Sequence, residues 1–85
     1  MRFVLSHRHP PAACGIAYAA WRGFDSPLRH TSTVASCLTD PDDAGAEHLL
    51  LLTVDAASAD AALAQLPPWV AQRTVARRVA DVTIP

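Results

Sequence analysis

The sequence predicts an α+β domain of β-α-β-β-α-β order, an antiparallel sheet with two helices on one face. Three observations lead there. Stretches of period-two and of helical apolar spacing succeed one another along the chain. Proline and aspartate clusters break the chain between them. One stretch, residues 48–54, is apolar on both faces, so the sheet must be covered on both sides.

Residues 2–9 alternate. Phe3, Leu5, His7 and His9 point one way, and Val4, Ser6 and Arg8 the other, which is a strand. Pro10 and Pro11 end it, because neither can donate to a ladder and both suit a helix start. Over residues 12–24 the spacing becomes helical, with Ala13, Ile16, Ala17, Ala20 and Phe24 on one stripe. Asp25-Ser26-Pro27 ends that helix. Residues 30–39, with Thr31, Thr33 and Val34, read as a second strand, and residues 40–45 as a turn rich in aspartate. Residues 48–54 form the third strand. Residues 57–66 read as a helix with Ser58 as its N-cap and Leu63 and Leu66 facing inward. Pro67-Pro68 breaks it, residues 69–74 allow one further helical turn, and residues 75–84 close the chain as a strand. Val75 and Val79 fall on one face of that strand, and Ala80, Val82 and Ile84 on the other.

This order matches the ferredoxin-like split βαβ, in which the first and third strands are central. The doubly apolar third strand then falls at a central position. At 85 residues the chain makes one domain, 1–85. A chain this short leaves a large share of its surface exposed. With 51% apolar and only 18% charged residues, self-association is the simplest cover for the excess.

Composition excludes several function classes. The net charge is −1, every basic residue is an arginine, and the arginines form no run. Binding nucleic acid through phosphate neutralisation needs a basic stripe, so none is expected. No window is long enough to span a bilayer, and no apolar stretch of signal-peptide length opens the chain. The expectation is therefore a cytoplasmic protein with two reduced, buried thiols, Cys14 and Cys37. The lysine-free, alanine-rich composition fits the coding bias of a GC-rich bacterial genome.

Two features carry a family resemblance: the doubly apolar third strand, and the second helix that breaks at Leu66-Pro67-Pro68-Trp69 before the last strand. In this layout the chain resembles the dimeric α/β-barrel superfamily, which includes muconolactone isomerase-like proteins and small cofactor-independent monooxygenases. The resemblance implies a homodimer, or a larger homo-oligomer, whose sheets pack face to face, with a pocket between sheet and helices. It implies no cofactor. It carries no catalytic motif onto individual residues.

Two clusters hold chemistry. His7 and His9, at i and i+2 on a strand, share a face roughly 6.5–7 Å apart along it. Either imidazole can serve as a catalytic acid–base group, since it titrates near neutrality. The pair can also grip a divalent metal if a third ligand arrives. His48 is the candidate, because an antiparallel neighbour brings the start of the third strand to the end of the first. The alternative is histidines that are simply solvated or bonded to backbone. The second cluster is Trp21, Arg22, Arg29 and His30, with Tyr18 one turn earlier. Guanidinium groups beside aromatic walls suit an aromatic or carboxylate-bearing small molecule. There the alternative is a loop latched by an Arg22–Asp25 or Arg29–Asp25 ion pair. An isomerase or cofactor-free oxygenase, a metal-binding protein and a non-catalytic interaction module all remain open at this point.

Overall fold

The structure, a computed structural model, describes residues 1–31 and 35–85. It is an α+β chain with one four-stranded antiparallel sheet and a few short helices. The strands are β1 (Arg2–His9), β2 (Ser36–Leu38), β3 (His48–Asp55) and β4 (Thr74–Val79). The helices are α1 (Cys14–Arg22), α2 (Ala59–Leu63) and α3 (Pro68–Ala71), with 3₁₀ turns at Pro11–Ala13 and Pro27–His30. In the sheet the strands lie in the order β2-β3-β1-β4.

Alternation in β1 sets the inner face. Phe3, Leu5, His7 and His9 are buried, while the residues between them are half-buried or exposed. Register extends that face across the sheet. Leu5 lies opposite Leu52 on one side and Ala76 on the other, and Phe3 opposite Val54. Onto this face pack Ala62 of α2, Leu66 beyond it and Val70 of α3, and together with Phe3, Leu5, Leu52 and Val54 they form the core. Trp21 and Leu28 pack at its margin. Burying side chains of this kind contributes about 1.5–3 kcal/mol each.

Several expectations need correction. Within the first helix Ala13 and Ala17 are buried, but Ile16 is 55% exposed. The buried stripe runs Ala13, Ala17, then Ala20 and Trp21, and Ile16 lies one step off it. Residues 27–30 form a 3₁₀ turn started by Ser26, which takes His30 out of the expected strand, and among the described residues the second strand is Ser36–Leu38. The expected strand residues Thr33 and Val34 lie outside the described residues. The last strand stops at Val79, opposite Arg2, because β1 offers no partner beyond that point. Val82 and Ile84 are consequently exposed rather than paired.

No arginine pairs with Asp25 among the described residues. The one ion pair there joins Arg2 to Asp81 at 2.7 Å. Arg29 instead donates to the carbonyls of Trp21 and Arg22. Those oxygens lie in the last turn of α1; Trp21 O also accepts from the Phe24 N–H at 3.3 Å, and the guanidinium serves both. Ser58 caps α2 as expected, accepting from the Ala61 N–H at 3.1 Å.

Buried Ser26 ties the 3₁₀ turn to the end of α2. Its hydroxyl donates to Gln65 O at 2.6 Å and accepts from the Leu28 N–H at 3.1 Å. No helix among the described residues packs on the opposite face of the sheet. Leu38 (50% exposed), Leu51 (43%) and Val75 (54%) stand on it together with half-buried Val4, Leu49 and Val79. No helix among the described residues is long and apolar enough to cross a membrane.

Candidate metal centre

At one end of the inner face, four elements bring histidine and cysteine side chains together. His9 ends β1 and His48 begins β3, and the antiparallel register sets the two directly opposite each other. Their rings lie edge to face with centroids 5.4 Å apart. Cys37 in β2 pairs with Leu50, an inner-face position two residues along β3 from His48, so its thiol turns to the same side. One donor atom from each of His9, Cys37 and His48 lies within 4.8 Å of the other two.

The fourth member arrives through the prolines. Pro10 and Pro11 start a tight 3₁₀ turn closed by Ala13 N–H to Pro10 O at 2.9 Å. That turn sets Cys14, the first residue of α1, back over the end of β1. Its Sγ lies 3.5 Å from His9 Nε2 and 3.2 Å from His48 Nδ1.

Behind His9 stands His7. Its Nδ1 faces Val70 O at 3.3 Å and Thr74 Oγ1 at 3.4 Å, and its Nε2 lies 2.9 Å from His9 Nδ1. A carbonyl oxygen can only accept, so His7 carries its proton on Nδ1 and offers the Nε2 lone pair. His9 must then donate from Nδ1, which leaves its Nε2 lone pair facing the Cys14 thiol. These tautomers follow from the hydrogen-bond network. Metal-ligating histidines are held in this way, with the second ring nitrogen donating to a fixed acceptor.

Both buried imidazoles favour the neutral form. For His7, burial away from water lowers the pKa most, and the neighbouring His9 lowers it further, against backbone hydrogen bonds that raise it. For His9, burial again leads, followed by repulsion from His48, with Glu47 opposing. A neutral imidazole is the form that binds a metal.

The structure therefore rearranges the expected His7, His9 and His48 trio. His7 has both nitrogens engaged and supports the site from behind, while Cys37 takes its place among the donors. Both cysteines are exposed, not buried. They sit at the rim because β2 is an edge strand and Cys14 opens a helix at the sheet's end. The sequence does hold a signal for them: each cysteine is spaced from a histidine across a proline-bearing turn, His9 to Cys14 and Cys37 to His48.

The second expected cluster lies next door. A cleft of about 240 Å³ between α1 and the sheet is lined by Trp21, Leu28, Arg29, Ala35, Leu50 and Leu52. A more open hollow of about 270 Å³ is lined by Tyr18, Trp21, Arg22 and Arg29. Trp21 and Arg29 border both, and His30 lines neither. Leu50 places the cleft one inner-face position, roughly 6.5–7 Å, from His48 along β3. No family model, curated protein or solved structure matches this chain.

Proposed function

We propose that this protein binds a single transition-metal ion through His9, Cys37 and His48. One observation carries the reading: three donors from three separate strands converge within 4.8 Å of one another, around a histidine whose free lone pair is already oriented. A tetrahedral zinc site with bonds of 2.0–2.3 Å has ligand–ligand edges of about 3.3–3.8 Å. Closing from the observed spacing asks for a shift of about an ångström or less, within the range of side-chain rotation. Imidazole and thiolate together favour zinc, cobalt or copper(I) over magnesium or calcium. Calorimetric titration with Zn²⁺ tests this. One site per chain is expected, and Cys37→Ser or His48→Ala should weaken it at least tenfold; wild-type affinity in both variants would refute the assignment.

The strand order, with β1 and β3 central, also supports a ferredoxin-like domain that pairs with a second copy through its open sheet face. Leu38, Leu51 and Val75, exposed on that one face, are what that partner would cover. The cleft between α1 and the sheet supports a second reading, a small-molecule site. There Trp21 forms a wall, and Arg29 offers the guanidinium N–H groups that its two carbonyl bonds leave over. Soaking with aromatic carboxylates and watching Trp21 fluorescence in Trp69→Phe protein tests it; an unchanged signal would count against it.

A further inference from the structure

We infer that Cys14 is a fourth ligand, closing the site into a four-coordinate centre of two cysteines and two histidines. The inference rests on the metal reading above and fixes what kind of centre it is. The Cys14 sulfur lies between two imidazole nitrogens, at 3.5 Å and 3.2 Å. In a tetrahedral zinc site the sulfur–nitrogen edge is about 3.5 Å. One sulfur thus already stands at nearly the right distance from both histidines.

The protons tell the same story. With the His9 Nε2 lone pair facing it, the thiol of Cys14 donates its one proton to His9. It can then only accept from His48 Nδ1. When a metal ion binds, the thiol releases its proton to solvent and His48 moves its proton from Nδ1 to Nε2, so that the ion bonds to the same three atoms. Relative to the two histidines the Cys14 sulfur already stands near where binding would put it.

Local structure fixes the sulfur there. The two prolines restrict the backbone between His9 and Cys14. Cys14 is also the first residue of the nine-residue helix α1, which holds its backbone in place over the end of β1.

Four protein ligands leave no open position for substrate, so the centre braces the fold and does not perform catalysis. It ties the end of β1, the start of α1, the edge strand β2 and the start of β3 to one ion. Zinc is the ion such a set selects, with cobalt as its spectroscopic stand-in.

The test uses Co²⁺ on the full chain. Wild-type protein should show tetrahedral d–d bands and sulfur-to-cobalt charge transfer. Cys14→Ser should lose about half of the charge-transfer absorbance, one thiolate of two, and bind cobalt at least tenfold more weakly. Alkylation by iodoacetamide, mapped by mass spectrometry on wild-type protein, checks this without a variant: Zn²⁺ should protect both Cys14 and Cys37. If Cys14 reacts equally fast with and without zinc while Cys37 is protected, Cys14 is no ligand, although the three-donor site stands. If neither thiol is protected and no cobalt spectrum appears, the metal reading falls with it.

Discussion

Replacing His7 by phenylalanine separates a supporting role from a ligand role. His7 is 1% exposed and packs 6.0 Å from the ring of Trp69, so another aromatic ring suits the space. The change removes two hydrogen-bonding groups with unequal consequences. Val70 O keeps a partner, because the Thr74 hydroxyl donates to it at 2.6 Å. His9 Nδ1–H loses its acceptor and is left unpaired at a site 5% exposed. An orphaned buried donor costs about 1–3 kcal/mol. The ring can relieve that cost by moving its proton to Nε2, but that consumes the lone pair a metal needs. Losing such a supporting partner weakens metal binding about 10–100-fold. With zinc at a hundred times the wild-type Kd, wild-type protein gains about 2.7 kcal/mol of stability and the variant only about 0.4–1.4 kcal/mol. The difference amounts to roughly 5–18 °C in the zinc-induced rise of Tm for a domain of this size. Thermal melts of both proteins, with zinc and with chelator, read it directly. If His7→Phe folds and gains as much from zinc as wild type, the relay through His7 plays no part in the site.

Other features predict measurable effects. Ser26→Ala strips a donor from Gln65 O and an acceptor from Leu28 N–H at a fully buried position, and should cost about 1–3 kcal/mol in denaturant unfolding. A cost below a few tenths would show that the latch is idle. Acidification should destabilise the metal-free protein. His7 and His9 have pKa values depressed below the ordinary value near 6.5, so the unfolded chain takes up protons that the native one refuses. Stability is then full above that value and falls as pH drops through it towards the native pKa values, by up to about 1.4 kcal/mol per pH unit for each imidazole. Urea melts at pH 7.5 and 5.5 should show the loss in wild type and a smaller one in His7→Phe; a flat profile would contradict it. Leu51→Glu places a charge in the middle of the open sheet face and should convert a dimer to monomers in light scattering, with the helical signal retained. A dimer that survives the change pairs through some other surface.

Period and punctuation made most of the secondary structure legible. The alternation of residues 2–9 put His7 and His9 on the buried face, and the prolines at 10, 11, 67 and 68 marked where elements break. An antiparallel first and third strand was enough to bring His48 to His9. Much less of the site's detail could be read from the chain. His7 and His9 look equivalent in sequence, and only Val70 and Thr74, more than sixty residues away, turn one into a support for the other. The cysteines were read as small buried hydrophobes because nothing local distinguishes a packed thiol from one at a sheet edge. Cys37 is exposed because β2 is a short edge strand, and Cys14 because it opens a helix at the end of the sheet. The expected start of the second strand at His30 failed because residues 27–30 close into a 3₁₀ turn on Ser26, which the β-branched residues after them do not signal. The last strand overran for a related reason: its end is set by where β1 begins.

The most direct test of the metal assignment is native mass spectrometry of untagged protein after exposure to stoichiometric Zn²⁺. One zinc ion per chain is expected, retained through desalting and absent from the His9→Ala/His48→Ala double variant. A wild-type chain that stays metal-free, or a variant that carries zinc as wild type does, would contradict it.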